Sequence, residues 1–198
     1  MAQAEDVFIN MPFDSKGTYR DLLIAYVSGL AGLGFTARTV LELPQHHYRL
    51  KRLRKIIRKC GSSVHDLSCV TPSKVPSKTK GFPRFNMPFE LGLVVADPSA
   101  KWFVFEAVPH QLQLTLSDLN GHDPLIHGNE PREVIANLRD VFRNRRSAPT
   151  LRQLLKMHEA VRRLARLIER DRSSLLKRKA FEDLVRGAQE IAQRHGLI

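Results

Sequence analysis

The stretch Val7–Asp14 reads VFINMPFD. Apolar, β-branched and aromatic residues, interrupted only by Asn10, run up to Pro12 and stop there, which is the composition of a short buried strand closed by a turn. From Thr18 onward, Tyr19, Leu22, Leu23, Tyr26, Val27, Leu30 and Leu33 recur at spacings of three and four. That spacing predicts a helix with one apolar face, ended at Gly34. FTARTV (35–40) reads as a second strand, Arg49 to Cys60 as a second helix, and SSVHDL (62–67) as a third strand whose polar end is Asp66. NMPFELGLVVAD (86–97) opens another helix, KWFVFEAV (101–108) is a fourth strand, and Pro109 to Leu119 is a short helix. DPLIHG (123–128) adds an edge strand and Pro131 to Phe142 a further helix. The alternation of strand and helix predicts an α/β layer fold with a mainly parallel sheet.

The remaining segments are of two kinds. Ser68 to Pro83 is rich in Ser, Thr, Lys and Pro without an apolar period and reads as a long loop of the sort that is functional or mobile. RNRRSAP (143–149) reads as a polar hinge, followed by two antiparallel helices within 150–198 that break near Arg172 to Ser174. The organisation expected is a domain over 1–142, a hinge at 143–149 and a C-terminal basic helical hairpin over 150–198. Charge follows the same division: residues 143–198 hold 15 Lys and Arg against 6 Asp and Glu, so +9 of the formal +12 lies there. Apolar stripes through Leu151, Leu154, Leu155, His158, Val161 and Leu164, and through Phe181, Leu184, Val185, Ala188 and Ile191, suit the hairpin to oligomerisation or to a partner protein. Nucleic acid is a second expected partner for so basic a tail, although aromatic residues able to stack on bases are nearly absent from it.

No apolar run reaches the length of about 18 residues that a membrane span needs, and MAQAEDVFIN (1–10) lacks the basic start and apolar core of an export signal. The expectation is a cytoplasmic protein with no membrane contact, in which the two cysteines, Cys60 and Cys69, stay free. The histidines form no metal-ligand pattern. No phosphate loop with its lysine, nucleophile elbow or dinucleotide fingerprint is present, which leaves kinase, hydrolase-triad and dehydrogenase readings without support.

NMPF occurs twice, at 10–13 and 86–89, followed by Asp14 and by Glu90. The flanks diverge at once, so this is not a duplicated unit. Ligands of open parallel sheets bind outside the carboxyl ends of the strands, and the two copies are expected as neighbours at that edge. Asn86 suits a helix cap and Pro88 a first turn. Glu90 then falls near a helix start, where the dipole favours an ionised carboxylate fit to act as nucleophile or to stabilise positive charge. Its helix carries almost no polar face, and a carboxylate on a buried helix needs a reason. Gly92 is expected to allow a ligand or backbone to approach.

Asp66 is open between function and capping its own loop, Asn10 between a ribose contact and satisfying backbone, and Asp14 is weaker than either. In the basic run RLKRLRKIIRK (49–59) most charges are expected to face water, whereas Arg49 and Arg84 are placed to hold a phosphate.

Taken together, VFINMPFD, the strand-ending HDLS (65–68), RFNMPFELGL (84–93) and the later segment SDLNGHDPLIHGNEPREVIANLRDVF (117–142) resemble bacterial proteins related to Toll/interleukin-1 receptor (TIR) domains and to nucleoside 2-deoxyribosyltransferases. The resemblance covers roughly residues 6–142. It implies a flavodoxin-like, doubly wound sheet, a nucleotide or nucleoside pocket, cleavage of an N-glycosidic bond, and a setting in bacterial anti-phage defence. By the same resemblance Glu90, in the pattern ELG, carries the reaction, and Asp66 corresponds to the strand-ending acid of the transferases.

Two departures from the pattern matter. Asn10 stands where relatives place tyrosine or serine, and Asn86 occupies the vicinity of an acid found in the transferases, so hydrolysis is better supported than transfer. The expected site is Glu90 and Asp66 as catalytic acids with Phe8, Asn10, Phe13, Arg84 and Asn86 as substrate contacts. NAD or another nucleotide is the expected substrate, and no cofactor or metal is. The alternatives are a sensor that binds a nucleotide without turning it over, or a nucleic-acid-binding protein.

Overall fold

The computed structural model describes residues 5–13, 17–44, 48–68, 85–110, 116–119, 121–142 and 148–198. Five strands form one parallel sheet: β1 (Glu5–Asn10), β2 (Phe35–Thr39), β3 (Ser62–Asp66), β4 (Lys101–Glu106) and β5 (Leu125–Ile126). Their order is β2-β1-β3-β4-β5, so the chain reverses its direction of winding between β1 and β3. The helices are α1 (Thr18–Gly32), α2 (Arg49–Lys59), α3 (Asn86–Val95), α4 (Pro131–Val141), α5 (Leu151–Arg172) and α6 (Arg178–Arg194). Of the expected elements, most of the loop after Ser68 and part of the hinge lie outside the described residues. So does the middle of the helix expected at 109–119, whose described end is a single 3-10 turn, Ser117–Leu119. The second strand is shorter than expected because Thr39 caps a 3-10 turn over Val40–Glu42, its hydroxyl accepting from Leu41 N–H while Glu42 accepts from Thr39 N–H.

Strand register divides the side chains between two faces. Asn10 lies beside His65 and His65 beside Val104, so these share a face with Phe8 and Ser63. Ile9, Val64, Phe103, Asp66 and Phe105 share the other. On the first face Phe8 packs with Leu53 and Ile56 of α2, and Val104 with Met87 and Leu91 of α3. The second face meets α1 and α4 through Val7, Ile9, Val64 and Phe105.

The helix α1 departs from expectation. Instead of one apolar face, every residue from Leu22 to Gly32 is buried. The reason is the hairpin: α5 and α6 pack on the outer side of α1 and complete the same core through Leu154, Met157, Val161, Phe181 and Leu184. Close approach is made possible by glycines. A Cβ on Gly29 would lie 2.8 Å from Leu138 Cδ1 of α4, and one on Gly32 would lie 2.6 Å from Leu154 Cδ2 of α5.

Polar contacts fix the register of these layers. Arg20 donates to both carboxylate oxygens of Glu169 at 2.8 and 2.7 Å, Ser28 Oγ meets His158 Nδ1 at 2.8 Å, and Gln189 Nε2 donates to Thr36 at 2.7 Å. The apolar stripes expected to serve oligomerisation or a partner are therefore occupied within the chain. Burying a large apolar side chain contributes roughly 1.5–3 kcal/mol. Five of them amount to about the whole net stability of an ordinary domain, so the hairpin is part of this fold and not an appendage to it. Among the described residues no helix is long and apolar enough to cross a membrane.

Candidate functional site

The carboxyl edge of the sheet brings three buried carboxylates into the described structure, Asp66, Glu90 and Glu106. Their surroundings differ. Asp66 ends β3 on the α1 face, and protein donors surround it. Its Oδ1 accepts from Ser68 N–H at 3.1 Å and from the Ser68 hydroxyl at 2.6 Å, while Oδ2 accepts from Tyr26 O–H at 3.2 Å.

His127 completes this shell from the loop after β5. Asn129 N–H donates to its Nδ1 at 3.0 Å, so the ring proton of the neutral form sits on Nε2. Nε2 in turn lies 3.2 Å from Ser68 Oγ and 3.4 Å from Asp66 Oδ2. Burial, and after it the Asp66 charge, holds the Tyr26 phenol well above its usual range, so it remains a donor. Asp66 thus caps its own loop and is held by neutral donors.

On the opposite face Asn10, only 2% exposed, ties β1 to its neighbours. Its Nδ2 donates to His65 Nδ1 at 2.9 Å and to the Met87 carbonyl at 2.8 Å. With Nδ1 accepting, His65 carries its proton on Nε2, which meets Ser63 Oγ at 2.9 Å. Burial lowers His65 to about 3, so the ring is neutral at physiological pH. Asn10 thereby clamps the first turn of α3 against the sheet. Both of its amide hydrogens are engaged, and the backbone role left open for it is filled at Met87.

Glu90 sits one turn after Met87. The buried residues of α3 are Met87, Glu90, Leu91 and Val94, the i, i+3, i+4, i+7 stripe of a helix packed on one face, so the carboxylate occupies a core position. It is 8% exposed, and its Oε2 has no hydrogen-bond partner among the described residues. Here the expected electrostatics is corrected. The cap is Phe85, with no side-chain cap bond, and Glu90 lies beyond the first turn, where the helix dipole has largely faded. Burial dominates and pushes the Glu90 carboxyl up to about 7, against the opposing pull of the Arg49 charge. A carboxyl poised there exchanges protons near neutrality, a property suited to general acid–base work as much as to charge stabilisation.

Other expected contacts are distributed as follows. Phe8 is fully buried against Leu53 and Ile56, so its ring is core and does not stack on a ligand. Phe13 is half-buried against the α1-side core. Asn86 is exposed at the first position of α3 and caps nothing. Gly92 is exposed with open space where a Cβ would stand, so no close approach requires it. Phe89 and Val95 are also exposed, and α3 is half-buried, not enclosed. Arg49 reaches back to the carbonyls of Val40 and Leu43, each at 3.5 Å. Arg84, Asp14, the His46–His47 pair and Cys69 lie outside the described residues. Burial raises the thiol of Cys60 to about 12, which leaves it inert.

Reading by residue type missed Tyr26, His127 and Glu106. Glu106 carried a signal, a lone acid inside the apolar strand KWFVFE. Tyr26 and His127 gave none, because they meet Asp66 only through the packing of α1 and the turn after β5.

The strand order, the winding on both faces and the buried carboxylates at the carboxyl edge define the class: a flavodoxin-like, doubly wound α/β protein. In comparisons with protein-family models, curated proteins and solved structures, nothing matches the chain.

Proposed function

We propose that the chain processes a nucleotide, cleaving the N-glycosidic bond of NAD or a related compound with Glu90 at the reacting carbon. The observation that carries this reading is Glu90 itself: a carboxylate in the buried stripe of α3, with one oxygen unpartnered among the described residues and a pKa near 7. Left without purpose, such a group only destabilises the fold. Its position supports the reading, since Asn10 ties the start of its helix to the end of β1, beside the switch point where ligands of such sheets bind.

A ribose bearing a pyridinium nitrogen draws Glu90 into its ionised form. The C1′–N bond breaks with both electrons passing to the nicotinamide nitrogen, and the carboxylate stabilises the oxocarbenium-like sugar. Water then bonds to C1′ and gives its proton to Glu90 or to solvent. The products are nicotinamide, ADP-ribose and one proton.

The test is chromatography of purified protein, wild type and Glu90→Gln, incubated at high concentration with NAD, ATP and deoxynucleosides. Release of a base by the wild type, reduced about 100-fold or more in the variant, is expected. Equal turnover by both proteins overturns the mechanism. Ligand binding without product by either protein selects a sensor, a reading favoured by one specific observation: both Asp66 oxygens are already held by protein donors.

A further inference from the structure

A groove of about 720 Å³ lies away from the carboxyl edge. It runs between α2 and α3 and reaches the starts of β3 and β4, Ser62 and Lys101, at the opposite end of the strands from Asp66. Its apolar lining includes Leu50 and Ile57 from α2 and Phe89 and Leu93 from α3; Arg54 and Arg58 border it. Two independent features mark this surface.

Of the eight large apolar side chains exposed among the described residues, five belong to α2, α3 or their caps: Tyr48, Leu50, Phe85, Phe89 and Val95. Leu50 is 49% exposed and Phe89 53%. The helix α2 also carries seven cationic residues and no acidic one, and none of them joins an ion pair among the described residues. The lining sets Arg54, Arg58 and Lys101 against one acid, Asp97, which lies within electrostatic reach of Arg58, and an apolar floor beside such an excess of positive charge marks an interaction surface whose partner bears the opposite sign.

Charge chooses the occupant. Residues 69–84 carry Lys74, Lys78, Lys80 and Arg84 with no acid, and a second copy of this chain brings a net charge of +12, so like charge opposes both. Nucleic acid is anionic too, but the groove sets four aliphatic side chains, Leu50, Ile57, Leu93 and Val94, against the single ring of Phe89, a lining that suits hydrocarbon side chains better than flat bases, which stack on aromatic rings. We propose that the α2–α3 groove docks an acidic amphipathic helix of a partner protein, its apolar anchors on Leu50 and Phe89 and its carboxylates on Arg54 and Arg58.

The probe is a fluorescein-labelled synthetic helix of about 18 residues with Leu and Phe at i, i+3, i+4, i+7 spacing and Glu elsewhere. Anisotropy is followed for this peptide, for its Lys-for-Glu twin and for an oligothymidylate of about 15 nucleotides. The acidic peptide is expected to bind saturably and the basic twin not to bind. Phe89→Ser, Leu50→Ser and the pair Arg54→Glu with Arg58→Glu are each expected to weaken binding about tenfold or more. Because Phe89 and Leu50 are exposed, these variants keep the wild-type melting temperature, and one serves if the other does not fold. Absence of saturable binding at millimolar peptide, or binding indifferent to the serine variants, overturns the proposal. So does preference for oligothymidylate, which assigns the surface to nucleic acid.

Discussion

On one face of the sheet, α1 and α4 are themselves roofed by the α5–α6 hairpin; on the other, α2 and α3 form the outermost described layer and present Leu50, Phe85 and Phe89 outward. The two sides use the same kinds of residue to opposite ends. Behind α1, small residues let neighbouring helices come close, and Ser28 and His158 satisfy one another in the gap. On the α3 side a carboxylate occupies a core position with an oxygen unpartnered among the described residues, and apolar side chains lie outside. The covered face carries stability, whereas the thin face carries the groups that stability alone does not explain.

The sharpest way to break this contrast is to truncate one phenylalanine on each side. Phe181, fully buried beneath the hairpin, is expected to cost about 3–5 kcal/mol as Phe181→Ala in urea denaturation. A small effect there means that the hairpin is dispensable.

Next in size is Glu90. Its folded pKa of about 7 lies above the ordinary 4.5, so the folded state holds the proton more tightly. The resulting penalty is absent below about pH 4.5, grows as pH rises and is complete above about pH 7. Glu90→Gln is expected to stabilise the protein by up to about 3 kcal/mol at alkaline pH, and by little at acid pH. Thermal melts across pH check this, and an equal gain at all pH values contradicts it.

The buried histidines act in the opposite sense. Burial lowers His158 to about 4, so stability on the hairpin side is complete above the ordinary 6.5 and falls as pH drops toward 4. His65, lowered to about 3, adds to the same acid limb. His158→Gln is expected to remove about half of the acid loss while leaving the Glu90 limb unchanged, which separates the two faces in a single set of melts. The smallest expected effect is the counterpart of the first: Phe89→Ala, on the exposed face, changes stability by no more than about 0.5 kcal/mol.

Much of this arrangement was legible in the chain. The five strands, the alternation of strand and helix and the helix starts at Thr18, Arg49 and Pro131 follow from periods of two and 3.6 punctuated by Gly and Pro; the doubly wound order was implied by the resemblance alone. The roof over α1 was not recognised, although a signal existed: no charged residue occurs from Leu22 to Ala37, and the positions opposite the leucines are Ala25, Ser28, Gly29 and Gly32. A solvent-facing helix side does not consist of alanine, serine and glycine alone, so the gap called for a second partner.

Glu90 was singled out by residue type in an apolar helix, but its charge state was misjudged. Proximity to a helix start suggested a depressed pKa, whereas one turn further in desolvation outweighs the dipole. The Tyr26–Asp66–His127 cluster depends on the relative placement of three separate elements and has no local signature.

The proposed role of Glu90 depends most directly on its proton affinity. Its ¹³C carboxyl resonance, assigned by comparison with Glu90→Gln and followed across pH with and without NAD, is predicted to titrate near 7 in the free protein and at lower pH once the pyridinium ring of the nucleotide is bound beside it. Titration near the ordinary 4.5, unmoved by nucleotide, contradicts both the buried carboxylate and the site built upon it.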